Sequence, residues 1–419
     1  MGTPIRATLN RLESLQAMRG LAAILVLLFH LMTIQREMIS DDAVHELVLL
    51  SGFWERGYAG VDVFFVISGF VMVYITQNLL QKKAQNQPQN QPQNQPQNQP
   101  QNQPQNQQGY SVSAVFKFIF ARITRIFPLW WVFASLMALY FWISYQMPAD
   151  PFRISREALI PYLAKSFLLV PQTHLPVLSV GWTLIHEMYF YWVFALILFL
   201  PRRYCAHALC VWAILVLIGF ASGFSQNMAN SIVSLTSSLL TLEFIGGAFV
   251  ALVVGKNWRK YARLMIFLGS ALFISALLFY THKGPSMLLW GRVIMFGLPC
   301  MVLLYGMVSL EQTGKLKLPN WSVQIGNWSY SLYLSHILVL SAVKRVFAML
   351  DTSLPESFAP VFRIGADGVL DNLIFASVGF VACIIFAGVS YRYIERPLMG
   401  LARKQQIFKS KITMKAETK

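Results

Sequence analysis

The chain has 419 residues, 56% of them apolar and only 12% charged, where a soluble domain carries about 25% charged residues. That balance excludes an ordinary water-soluble fold. A net charge of +16 raises nucleic acid as a partner, but the placement of the charges along the chain gives a different reason for it.

A helix needs roughly 20 mostly apolar residues to cross the ~30 Å hydrocarbon core. Ten segments qualify, near 18–36, 58–79, 126–147, 181–200, 204–223, 233–254, 264–281, 287–309, 328–349 and 369–391. The predicted fold is therefore all-α, a polytopic integral membrane protein with about ten transmembrane helices. Alternating through them from a cytoplasmic N-terminus puts 24 of the 34 Lys and Arg inside, and the C-terminus inside too. This is the positive-inside bias. The excess charge reports topology, and no nucleic acid is expected. Two shorter apolar patches, near 44–54 and 161–171, read as interfacial or re-entrant.

The first span, "LQAMRGLAAILVLLFHLM", carries Arg19 and His30 with ten uncharged, non-polar residues between them. No small-residue cleavage site follows it, so an uncleaved span is expected rather than a signal peptide. Eleven helical steps make ~1,100°, close to whole turns, and ~16 Å of rise. The two side chains share a face, with Arg19 near the inner surface and His30 about halfway across. Arg suits phosphate and His suits proton transfer. The pair suggests a phosphorylated ligand held at the cytoplasmic mouth with its reactive end at the imidazole. The plainer alternative is a snorkelling anchor and a packing histidine.

The second span, "GYAGVDVFFVISGF", places Asp62 near its outer end and Ser68 and Gly69 near its middle. Gly69 reads as a close helix approach. Residues 85–108 are then five QNQP units and a degenerate sixth. Such a segment cannot build a core. It is expected as a disordered cytoplasmic insert, either a recruitment tether or a tolerated repeat. In "ARITRIFPLWW", Arg122 and Arg125 share a face at the cytoplasmic start of the third span. They are topology anchors or a second phosphate clamp.

The fourth span, "GWTLIHEMYFYW", aligns Thr183, Glu187 and Tyr191 in one polar stripe. Glu187 lies at a depth like that of His30 and could orient it. His186 points away and is expected to pack, and Glu243 in "LEFIGGAFV" is expected to be structural. In the ninth span, "NWSYSLYLSHILV", Ser329, Tyr333 and His336 share a face, so a second histidine could line the same cavity. "YRYIERP", Tyr391 to Pro397, reads as an architectural latch. Cys205, Cys210, Cys300 and Cys383 have no metal-ligand spacing, so neither a metal site nor a disulfide is expected. The domain reading is one membrane domain, 1–84 and 109–398, interrupted by the insert and followed by a basic tail, 399–419, beside the inner leaflet. Each tail Lys or Arg adds about 1 kcal/mol of attraction to anionic lipid.

Six stretches, in this order, resemble the acyltransferase-3 family of membrane proteins that acylate cell-envelope carbohydrates. They are "LQAMRGLAAILVLLFH", "GYAGVDVFFVISGFVMVY", "RITRIFPLWW", "VGWTLIHEMYFY", "GNWSYSLYLSHILVL" and "YIERP". The resemblance implies that Arg19 and His30 are the family's Arg-x10-His motif, with a catalytic histidine. It implies that Arg122 and Arg125 are its Arg-x-x-Arg motif, associated with the acyl-CoA donor. Glu187 and His336 fall on motif positions too. The QNQP insert departs from the family, and a stand-alone membrane version is expected, without the hydrolase-like domain of many members. The activity implied is transfer of an acyl group, acetyl above all, from cytoplasmic acetyl-CoA or another acyl-CoA to a hydroxyl of an envelope glycan or lipid-linked sugar, in a bacterial inner membrane. Arg19, Arg122 and Arg125 would hold the donor. His30 and Glu187 would be catalytic, with Tyr333, His336, Asp62 and Ser68 in the cavity. The alternatives are a secondary transporter of a lipid-linked or acylated sugar and a non-catalytic assembly subunit.

Overall fold

The computed structural model describes residues 12–39, 52–85, 109–143, 158–226, 231–280, 290–365 and 369–401. The described residues contain helices and turns but no strand. In lipid, a helix satisfies its own backbone groups, which is why apolar runs of this length adopt it. The helices are α1 Glu13–Arg36, α2 Ala59–Gln85, α3 Val112–Ile143, α4 Leu159–Leu168, α5 Gly181–Ile197 and α6 Cys205–Ala221. They continue as α7 Ser231–Thr236, α8 Thr241–Gly255, α9 Ala262–Phe279, α10 Leu298–Gln312, α11 Asn320–Ser353 and α12 Leu370–Ser390. A helical turn and a π-helical turn, Val293–Gly297, lead into α10, and a second π-turn, Tyr391–Glu395, extends α12.

Ten spans were expected, and nine helical stretches among the described residues are long and apolar enough to cross a membrane. The tenth, α5, has only 17 residues, at the short edge of what a bilayer requires. It carries Thr183, His186 and Glu187, which dilute its apolar character. The predicted third span starts too late. Helix α3 begins at Val112 and runs for 32 residues, so Arg122 and Arg125 project from well inside it. The predicted sixth span is broken at residues 237–240 between α7 and α8. Of the two interfacial patches, 161–171 corresponds largely to α4, and 44–54 lies mostly outside the described residues. The QNQP insert and most of the basic tail lie outside them too.

The chain divides into two compact units. The first comprises Met1–Ile67, Asn257–Gly284 and Ile294–Tyr391. In it α1 packs on α11, α11 on α12, and α9 on α10. Leu27, Leu31, Leu332, Leu340 and Phe375 make its fully buried apolar seam. Small residues let backbones meet: a Cβ on Gly326 would overlap the Gln16 carbonyl, and one on Gly20 would lie 3.0 Å from the Gly326 nitrogen. Gly57 and Gly60 press in the same way on the Leu25 and Ala22 carbonyls.

The second unit comprises Ser68–Lys256, Pro285–Val293 and Arg392–Lys419. Here Phe190 stacks on Phe194, Trp212 and Phe244, joining α5, α6 and α8 through aromatic faces. Gly69 seats α2 on the Phe244 carbonyl, the close approach expected from the sequence. Outward residues such as Trp142, Ile214 and Leu196 are exposed and apolar, the surface a hydrocarbon solvent requires.

Candidate active site

The first unit gathers His30, His336 and Tyr333. The His30 and His336 rings meet edge to face with centroids 4.8 Å apart, and the Tyr333 ring is 6.0 Å from that of His336. His336 Nε2 lies 3.3 Å from His30 Nδ1. His30 Nδ1 also faces the Val26 carbonyl at 2.9 Å, and His336 Nδ1 faces the Leu332 carbonyl at 3.1 Å. Carbonyl oxygens only accept, so both Nδ1 atoms carry hydrogen. His336 Nε2 is then a lone pair accepting from His30 Nδ1–H. His30 Nε2 is left as a bare lone pair, the atom that can take a proton. These tautomers are inferred from hydrogen-bond partners.

The surroundings fix that arrangement. His336 and Tyr333 are buried, whereas His30 is half-buried. Phe29 packs edge-on to the His30 ring at 5.1 Å and to Tyr58 at 5.8 Å. Phe64 holds Tyr333 at 5.6 Å. Arg19 is half-buried on α1, beside the glycine crossing with α11, and Asp62 is fully buried near the start of α2. Ser329 is completely buried, and its hydroxyl has no hydrogen-bond partner.

The second unit gathers the other predicted residues. Ser68 Oγ donates to Glu187 Oε1 at 3.0 Å, and the Tyr191 hydroxyl donates to the same oxygen. The i, i+4 half of the predicted stripe is thus a direct hydrogen bond. Thr183 drops out of it, because its hydroxyl donates to the Val180 carbonyl at 2.9 Å. Arg122 and Arg125 lie within electrostatic reach of Tyr191. Arg122 sits over the Phe118 ring at 5.7 Å and keeps a buried Nε without a hydrogen-bond partner. Arg125 is paired with the buried Glu395 at 2.8 Å, so the sequence latch at Tyr391–Pro397 closes on one of the three expected donor-binding arginines.

Two things escaped the sequence reading. One is the direct His30–His336 contact, which depends on the relative rotation of two helices 306 residues apart. The other is Arg292, which is 1% exposed and acts electrostatically on His186. An arginine inside the apolar run "LLWGRVIMF" was the available signal, since intramembrane charge marks function or a buried partner. Glu243 is likewise fully buried. All four cysteines are free thiols. Among the described residues, no group of three or more His, Cys, Asp or Glu side chains is gathered that could hold a metal ion.

The chain matches the acyltransferase domain family over residues 12–392. A curated relative, the exopolysaccharide production protein ExoZ of Rhizobium meliloti (strain 1021), is 28% identical over 357 residues, which covers 84% of this chain and 92% of that protein. No solved structure matches the chain.

Proposed function

The chain belongs to the acyltransferase-3 family, and from that premise we propose that it moves an acyl group from a cytoplasmic acyl-CoA, most simply acetyl-CoA, to a hydroxyl of an envelope polysaccharide or its lipid-linked precursor. The observation that carries the reading is the bare Nε2 of His30, left free because Nδ1 is committed to Val26 and His336. In the simplest course, His30 Nε2 takes the proton of the acceptor hydroxyl as the oxygen attacks the thioester carbonyl. The carbon–sulfur bond then breaks, and the thiolate of CoA leaves and recovers the proton from the imidazolium. The charge passing through His30 is met by the Val26 carbonyl and the His336 lone pair, so His336 plays the orienting part that an acid plays in a hydrolase triad. Direct attack by Nε2 on the thioester is the covalent variant, with an acyl-imidazole resolved by the acceptor.

The donor's phosphates need fixed positive charge. Arg19 and Arg122 are the groups assigned to them, with Arg125 held in place by Glu395. The permanent charge and planar fork of Arg match phosphate oxygens. The Ser68–Glu187–Tyr191 string is a second proton-handling group and keeps its role in the reaction as part of this proposal. The polysaccharide acceptor rests on the likeness to the exopolysaccharide production protein of Rhizobium. The inner membrane as location follows from the need to meet a cytoplasmic donor and an exported acceptor.

The test is transfer by the purified full-length protein in detergent. Labelled acetyl-CoA and the cell's own surface polysaccharide should yield a base-labile ester on the polysaccharide. A folded protein that transfers nothing from a panel of acyl-CoA donors, but moves lipid-linked sugar across vesicles, would replace this reading with transport.

A further inference from the structure

The first unit has a second polar feature, distant in sequence from the histidines. A cavity of about 350 Å³ lies between the start of α9 and the end of α10, lined by Arg259, Tyr261, Arg263, Ser309, Thr313 and Lys315 among others. Three cations and two aliphatic hydroxyls thus face one hollow. The two elements that line it are tied together. The Tyr305 hydroxyl donates to the carbonyls of Lys260 at 2.9 Å and Trp258 at 3.2 Å, pinning the loop before α9 against α10. Tyr261 stands in the left-handed region at φ 59°, an uncommon conformation for a bulky residue. It brings the first turn of the 18-residue α9 to the cavity wall. The amides of that turn have no acceptor within the helix and carry the positive end of its dipole.

Two buried donors make this more than a ring of surface arginines. Ser309 is fully buried, and its hydroxyl makes no hydrogen bond of normal geometry. Its near polar neighbour is the Tyr305 hydroxyl, whose proton is already given to the two carbonyls. Arg259 keeps its Nε buried and unpartnered, while one terminal nitrogen donates to Asn257 Oδ1 at 3.0 Å. The nearest acid along α10, Glu311, is engaged elsewhere: it accepts from the amides of Glu13 at 2.5 Å and Ser14 at 3.0 Å. That bond also places this end of α10 beside the amino end of α1, the end from which Arg19 projects.

The geometry points to a binding site for a phosphate ester, with Arg259, Arg263 and Lys315 supplying charge and Ser309 and the α9 amides supplying hydrogen bonds, the Thr313 hydroxyl being already given to the Leu310 carbonyl. A tetrahedral dianion accepts from many directions at once, as this donor set requires. An isolated Arg on the membrane surface would leave its Nε in water. Phosphate of this kind has two sources here, a soluble nucleotide and a monoester lipid headgroup such as that of phosphatidic acid, and both present three terminal oxygens.

The test measures binding and not turnover, so failure of the acyl-transfer reading would leave it intact. Full-length protein in nonionic detergent is titrated with 3′,5′-adenosine diphosphate, and separately with phosphatidic acid against phosphatidylcholine. The Arg259→Gln/Arg263→Gln double variant should bind one or both phosphate probes about tenfold more weakly. Loss in the nucleotide arm alone assigns the pocket to a soluble ligand, loss in the phosphatidic acid arm alone assigns it to lipid, and loss in both assigns it to either source. Arg263→Gln and Lys315→Gln, both at exposed positions, serve if the double variant fails to fold, and each should weaken binding about threefold. Unchanged affinity in both arms, in variants with wild-type unfolding midpoints, overturns the site.

Discussion

As the proposed base, His30 would make two demands on its surroundings, a fixed ring and a place for the charge it would acquire, and both fall on Nδ1, which faces the Val26 carbonyl and His336 Nε2. His30→Ala should therefore cost about 10²–10⁴-fold in transfer rate, the usual contribution of a general base. His336→Ala removes a single hydrogen-bond acceptor and should cost about tenfold. The double variant should be little worse than His30→Ala alone, because residues acting as a unit are not additive. Rates measured with labelled acyl donor, on protein quantified in membranes, check this series. Independent multiplicative losses would dissolve the pair. Glu187→Gln placed in the same cycle reports whether the Ser68–Glu187–Tyr191 string couples to the imidazole at all. Arg19 separates binding from chemistry. Arg19→Lys keeps the charge and loses the fork, so the donor KM should rise about tenfold with little change in kcat. Unaltered donor kinetics in an inserted protein would return Arg19 to the role of an anchor.

Between helices, packing is decided by the smallest side chains. Gly326→Ala would push a methyl into the Gln16 carbonyl where α1 crosses α11. Overpacking of this kind costs about 1–3 kcal/mol and should lower the unfolding midpoint in detergent. A neutral outcome would mean that the two backbones separate freely. The latch makes a second claim at this scale. Glu395→Gln leaves the shape and removes the charge facing Arg125, so stability should fall by about 1–2 kcal/mol, read by the same unfolding assay. How much of this was legible beforehand follows the physics of each element. Spans were readable because lipid demands long apolar runs, and helical spacing correctly paired Glu187 with Tyr191. The start of α3 was hidden because Lys117, Arg122 and Arg125 interrupt its apolar window, although the backbone stays helical through them. The break between α7 and α8 was hidden because residues 237–240 are small or apolar and leave no polar gap. The meeting of His30 with His336 was hidden because a sequence gives the face of each helix and not which helices turn those faces together.

At the scale of the whole chain, the positive-inside count becomes a topology that can be measured. Reporter fusions at Gln89 and Lys415 should both report the cytoplasm, and an external signal from either would remove the compartment in which the donor is met. The same scale gives the crossing of α1 and α11 a meaning in time. Its two helices are separated by about three hundred residues, and synthesis at roughly 5–20 residues per second parts their arrival in the bilayer by roughly 15–60 s. For that interval the first helix waits in lipid with an imidazole whose later neighbour does not yet exist. The glycine notch at Gly326 then closes on a helix that entered first, and a chain arrested before α11 carries His30 without the histidine it meets in the finished fold.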